Sequence, residues 1–165
     1  MKCCICPKRG STVRPGNLLF GNFLKRPELS AVPDLRPVFR LCARIVRLEQ
    51  LQPGESASFG RAYVASKATW IALLPVGHTD GYPANAPGKC QVLIRGKLYP
   101  AVSVVSSSHT IIEVGDERAV EVGDVATLIG PDDPAITPHA VAEQTGLGFY
   151  PLITKMNALL PKKLV

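Results

Sequence analysis

From Pro37 the pattern of the chain becomes that of β-structure. In "VFRLCARIVRL", Phe39, Leu41, Ala43 and Ile45 fall on one side, with Arg40, Cys42 and Arg44 on the other. A period of two suits a strand with one buried face, because successive side chains of a pleated strand point to opposite faces. A helix cannot use the pattern, since its apolar positions recur every three or four residues. Further runs of strand length follow in "SASFGRAYVA", "TWIALLPV", "CQVLIRGKLYPAVSVV", "HTIIEVG" and "DVATLIG". The spacing predicts a mainly β domain over residues 36–165, with "TWIALLPV" as a central strand.

Turn chemistry supports this reading. Pro53-Gly54 within Gln52–Glu55 fits the middle of a type II turn. Arg95-Gly96 links two halves of a hairpin, with Gly96 supplying a positive φ. One helix is signalled: Thr137 as N-cap, Pro138 in the first turn, "HAVAEQ" as body and Gly146 as stop. The C-terminal "FYPLITKMNALLPKKLV" is expected to return to the sheet. Residues 1–35 have no clean period and carry Pro and Gly at irregular spacing, so they are expected to form a separate segment.

Composition narrows the function classes. With 46% hydrophobic and 19% charged residues, the chain can bury a core. No stretch approaches the roughly 20 apolar residues of a membrane-spanning helix. "MKCCICPKRG" is too short and too quickly broken for a secretory signal. The net charge of +6 is spread along strands without an aromatic-interleaved basic stripe. That argues against a nucleic-acid partner and leaves room for a small anionic ligand. Cys3, Cys4 and Cys6 cluster without a second cysteine pair at metal-site spacing, which reads as an apolar start in a reduced, cytosolic protein rather than a zinc site.

The run "LLPVGHTDGYP" ends a predicted strand abruptly in a glycine-flanked loop. Such loops are where folds often mount working groups. His78 is the candidate, and Asp80 is expected to brace the Gly77–Gly81 turn. His109 reads as a residue at a strand edge, His139 as exposed on the first helical turn, and Asp132–Pro134 as a solvated loop.

In order along the chain, "VRPG…LFG", "LQPGESASFGRAY", "LPVGHTDGYP", "VLIRGK", "VEVGDVATLIG" and "ITPHAVAEQTG" resemble the C-terminal part of bacterial alanine racemases. The resemblance runs from about Ser11 to Val165. It implies an alanine-racemase C-terminal-like β-barrel over residues 36–165, with residues 1–35 as the remnant of the end of a TIM-type barrel. It also implies pyridoxal 5′-phosphate (PLP) as cofactor, interconversion of L- and D-alanine for cell-wall synthesis, a cytoplasmic location, and a homodimer or a racemase barrel in trans as partner, with neither nucleic acid nor membrane.

Matched residue by residue, Arg14 falls at the arginine facing the cofactor's pyridine nitrogen. Gly16 and Asn17 fall where backbone N–H groups help hold its phosphate. His78 stands where the family has the tyrosine of Gly-Tyr-Ala-Asp-Gly, one of two proton-transferring bases. An imidazole titrates near ~6.5 against ~10 for a phenol, so it can do such work, but its nitrogen sits differently. Tyr82 is a poor substitute. The family's Gly-Arg-x-Cys/Ser-Met-Asp appears as Ser103–Ser108: Ser106 fits, whereas Val104, Ser107 and Ser108 replace arginine, methionine and aspartate. The methionine binds substrate carboxylate through its backbone N–H, which Ser107 retains. Ala158 stands where a tyrosine hydroxyl would reach the phosphate. None of the nine lysines matches the family's cofactor-bearing lysine. The resemblance therefore implies a domain that is inactive alone, with two alternatives: a non-catalytic module docking on a racemase barrel, or a split enzyme with His78 as base.

Overall fold

The computed structural model describes residues 16–21 and 36–164. Among these described residues, nine strands and two helices follow a short 3-10 turn at Gly16–Phe20. The strands are β1 (Leu41–Arg44), β2 (Arg47–Leu51), β3 (Ser56–Ala57), β4 (Tyr63–Val64), β5 (Thr69–Leu74), β6 (Gln91–Ile94), β7 (Lys97–Val102), β8 (Thr110–Gly115) and β9 (Val125–Ile129). The helices are α1 (Pro138–Thr145) and α2 (Phe149–Thr154).

Seven strands form one antiparallel sheet in the order β1-β9-β6-β7-β8-β5-β2. Its two edge strands are consecutive in the chain. At their junction the Ile45 N–H donates to Asp124 O (3.0 Å), while the next residue, Val46, donates to Leu73 O (3.0 Å). Successive residues thus pair with opposite edges, and the sheet curls until those edges meet. The two edge strands are joined at this corner by the chain itself, without a β1–β2 ladder among the described residues.

The alternation at the start of β1 appears as expected, with Leu41 and Ile45 buried and Arg40, Cys42 and Arg44 exposed. Inside the curl, Leu74, Val92, Ile94, Ile112 and Leu128 pack with Tyr82 and Cys90, and Val141 and Leu152 reach in from α1 and α2. β5 is flanked by β8 and β2 and is covered on both faces. Trp70, Ala72 and Leu74 face the main core, whereas Ile71 joins Leu51 and Ala65 in a satellite cluster.

The turn and cap assignments hold. Glu55 N–H donates to Gln52 O (3.0 Å) around Gly54 at φ +87°. Ile94 pairs with Lys97 around Arg95 and Gly96, both at positive φ. Thr137 Oγ1 accepts from Ala140 N (3.2 Å), and Gly146 ends α1 in the left-handed region at φ +70°.

Two expectations fail. "SASFGRAYVA" is not one strand: β3 and β4 form a separate two-stranded hairpin around a 3-10 turn at Phe59–Arg61. Gly60 at φ +61° and Arg61 at φ +56° reverse the chain there. The C-terminal run does not return to the sheet either. Gly148 at φ +75° breaks the extended backbone, and α2 follows, burying Leu152 against the core. Pro151 sits in the first turn of α2, where its missing N–H costs nothing.

Candidate functional site

β5 delivers the chain into the Gly77–Gly81 loop, and backbone contacts from two other segments fix it there. Gly77 is extended, but a side chain on it would overlap the carbonyls of Ser106 and Ser107. Only glycine permits that approach. The loop then forms a 3-10 turn over His78–Asp80. Asp80 Oδ2 accepts from Gly77 N (2.9 Å), the expected brace. His78 N donates to Ser106 O (2.9 Å), and Thr79 N and Thr79 Oγ1 both donate to Ser107 O. On the far side, a Cβ on Gly81 (φ +101°) would stand 2.7 Å from Met156 Cα. Asn157 N donates to Asp80 O (3.2 Å). The loop is therefore clamped between Ser106–Ser107 and Met156–Asn157. The His78 ring projects from this clamp, exposed and without a hydrogen-bond partner among the described residues.

The opposing Ser106–His109 turn is itself tightly closed. Ser106 N donates to His109 O (2.9 Å), and Ser106 Oγ accepts from His109 N (2.9 Å) and Ser108 N (3.4 Å). Ser107 O is occupied by Thr79, while the Ser107 N–H has no acceptor among the described residues. Beside it, Ser108 Oγ lies 2.9 Å from His109 Nδ1. Both imidazoles, His78 and His109, are thus anchored through their backbones to Ser106. His109 stands directly before β8, at the strand edge read from the sequence, but its contact with Ser108 was not read there. The available signal was a histidine directly after three serines, a pattern that a single chain does not separate from an ordinary polar turn.

Tyr82 is only 1% exposed, and its hydroxyl has no partner among the described residues. Burial pushes this phenol's pKa upward and raises that of the neighbouring Cys90 thiol to about 11. Its hydroxyl is sealed in the core, which gives a physical reason why Tyr82 cannot replace a phenol at position 78. The other candidates have structural partners. Asp132 takes a two-pronged contact from Arg40 (2.7 Å for both bonds), Asp133 caps Ala135 N (2.8 Å), and exposed His139 stacks on Phe149 (4.6 Å between centroids).

Two of the three residues matched to the cofactor side, Gly16 and Asn17, lie in the Gly16–Phe20 turn. Arg14 lies outside the described residues. Gly16 takes φ +52°, and an added Cβ there would meet no protein atom within 4 Å. Ala158 has no side-chain donor. A surface cavity of about 220 Å³ lies elsewhere, beneath the β3–β4 hairpin, and no residue of the Gly77–Gly81 loop lines it. Among the described residues no helix is long and apolar enough to cross a membrane.

Comparison with known proteins identifies the domain. The family model for the alanine racemase C-terminal domain matches residues 38–164. Alanine racemase 1 of Clostridium acetobutylicum is 31% identical over 150 residues, covering 90% of this chain and 39% of that protein. Alanine racemase of Shewanella piezotolerans is 34% identical over 145 residues, covering 88% and 40%. The crystal structure of biosynthetic alanine racemase from Pseudomonas aeruginosa superposes with a TM-score of 0.77 at 27% identity, covering 90% of this chain and 40% of that one. The chain thus spans about 40% of the length of these relatives. On the match over residues 38–164, the chain belongs to the alanine racemase C-terminal domain family.

Proposed function

We propose that this domain completes a PLP-dependent alanine racemase by docking on a lysine-bearing TIM-type barrel, in a cytoplasmic homodimer or a two-chain assembly. These 165 residues by themselves do not catalyse. The observation that carries the reading is the clamped Gly77–Gly81 loop. It leaves the His78 ring and the Ser107 N–H unpaired at one corner of the domain.

In this reading His78 accepts or delivers the proton at the substrate Cα, the task a phenol performs at this position in the family. The Ser107 N–H receives the substrate carboxylate, a hydrogen bond strengthened by the ligand's charge. The cofactor and its lysine belong to the barrel. Arg14, Gly16 and Asn17 are assigned to the cofactor side by their match to the family motif, and no step is derived through them.

Mixing separates the outcomes. The chain is combined with PLP and a racemase barrel that carries the lysine, and L-to-D alanine exchange is followed with co-elution of the two polypeptides. The expected result is exchange by the mixture, none by the chain alone, and a loss of roughly 100-fold or more with His78→Ala, the usual scale of general acid–base catalysis. Co-elution without exchange favours the alternative in which the domain is a docking module. Failure to co-elute or to exchange overturns the reading.

A further inference from the structure

The cavity of about 220 Å³ beneath the β3–β4 hairpin shares no residue with the Gly77–Gly81 loop and carries chemistry of its own. Strand register builds it. Arg47 lies opposite Leu73, Glu49 opposite Ile71, and Leu73 opposite Ile111, so these side chains share the outer face of the sheet. Ile71, Leu73 and Ile111 make an apolar floor, and Ser56 and Ser58 of the hairpin line the other side. Both hydroxyls are half-buried and make no hydrogen bond among the described residues. Ser58 keeps its φ of +73° with that hydroxyl unused. Backbone strain of this kind gathers at positions that hold ligands.

We infer that this cavity binds a free α-amino acid with a small aliphatic side chain, at a site separate from the His78 loop. Charge sets the class. One wall carries an exposed ion pair, Arg47 Nη2 to Glu49 Oε2 at 2.8 Å. Such a surface pair is worth only about 0–1 kcal/mol, so a ligand opens it at little cost. An anion alone would gain Arg47 and be opposed by Glu49, and a cation alone would meet the reverse. A zwitterion suits both. Its carboxylate accepts from Arg47 and from the serine hydroxyls, and its ammonium donates to Glu49. The next carboxylate on this face, Glu113 opposite Ile71, accepts from Thr69 Oγ1 (3.4 Å) and adds to the pull on the ammonium. Size sets the rest. Sites for drug-sized ligands run to about 300–1,000 Å³, which this cavity falls short of, whereas a single amino acid fits. Its side chain covers Leu73 and Ile111, which the hairpin leaves only half-buried.

This site stands independently of the racemase reading, and its test needs neither PLP nor a barrel. The 165-residue chain is titrated with L-valine at constant ionic strength and neutral pH. Isobutyrate and isobutylamine, which keep the aliphatic body and carry one charge each, are titrated separately. Backbone amide and methyl resonances are followed by NMR. The expected result with L-valine is a saturable shift at Ser58, Ile71, Leu73 and Ile111 in the millimolar range, with the Gly77–Gly81 amides unmoved. Isobutyrate and isobutylamine should each bind about tenfold or more weakly, the scale of one charge-assisted hydrogen bond. Arg47→Gln and Glu49→Gln, both at exposed positions, should each weaken valine binding by a similar factor. Arg47→Gln should also erase the preference for valine over isobutylamine, and Glu49→Gln the preference over isobutyrate. If either variant disturbs the sheet resonances, the three-ligand comparison on the unaltered chain decides. Shifts that do not saturate, shifts confined to the Gly77–Gly81 loop, valine binding no tighter than that of either single-charge analogue, or binding that neither variant weakens overturn the inference.

Discussion

Two turns leave the same stretch of sheet and are held by different physics. The Gly77–Gly81 loop follows β5 and is fixed by backbone hydrogen bonds to Ser106, Ser107 and Asn157, with side-chain room removed at both glycines. The β3–β4 hairpin precedes β5 and rests on a small apolar cluster of Leu51, Ala65 and Ile71. It tolerates Ser58 at φ +73° and Arg61 at φ +56°, and it leaves Phe59 76% exposed. The first is over-determined by distant segments; the second is loosely attached and strained. A side chain with a proton to move needs the first kind of mounting, because proton transfer tolerates little misplacement.

The sharpest way to break this contrast is to put a methyl group into the clamp. Gly77→Ala has no room against the Ser106 and Ser107 carbonyls, both of them backbone. It should cost about 3 kcal/mol or more, the range of mutations that force backbone apart. Urea unfolding with matched m-values would measure it. A loss below about 1 kcal/mol would mean that the loop yields easily and the contrast is false.

Asp80→Ala tests the brace rather than the space. It removes the acceptor for Gly77 N at 2.9 Å and leaves that N–H, in a buried residue, without a partner. The expected loss is about 1–2 kcal/mol in the same unfolding measurement. Asp80→Asn, which keeps an acceptor oxygen, should recover part of it.

The hairpin predicts the opposite sign. Ser58 combines φ +73° with ψ 174°, a region populated almost solely by glycine, and its side chain makes no cap. Ser58→Gly relieves strain of about 1–3 kcal/mol and gives back about 0.5–1 kcal/mol through the freer unfolded chain. The net expectation is a gain of about 1 kcal/mol, read as a raised Tm. Destabilisation would show that Ser58 is held in place by something other than strain.

The same contrast explains what was legible in the sequence. Strand alternation is local, so Phe39 to Ile45 could be read directly, as could Thr137, Pro138 and Gly146 around α1. The glycines of "GHTDG" also announced the loop. Its clamps did not announce themselves: Ser106 and Met156 are far from Gly77 in sequence, and only the curled sheet brings them together. The hairpin was misread because Ser58 and Arg61, ordinary residues by composition, adopt positive φ that nothing local demands. α2 was misread because six residues are too few to show a helical period, and Phe149, Tyr150 and Ile153 favour strands on propensity alone. At the site, position 78 was identifiable by its place between glycines. The Ser108–His109 contact depends on a turn closed by Ser106 Oγ, which is a fact of folded geometry.

The smallest expected effect lies again on the hairpin, at Tyr63 in β4. Burial, then the charge of Glu113, pushes this phenol's pKa from about 10 up to about 12. The folded protein therefore keeps a proton that the unfolded chain gives up across that window. The resulting contribution to stability is intact below about pH 10 and is lost as pH rises towards about 12. Tyr63 is only half-buried, so solvent still screens it and the effect is modest. Lysines also titrate in this range, and the measurable quantity is therefore the difference between the wild-type chain and Tyr63→Phe. The wild-type stability should fall more steeply between those two pH values than that of the variant, because only the wild type carries the shifted phenol. Parallel curves would mean that the hairpin opens before Tyr63 titrates, which would sharpen the contrast with the clamped loop by showing how weakly β3 and β4 are attached.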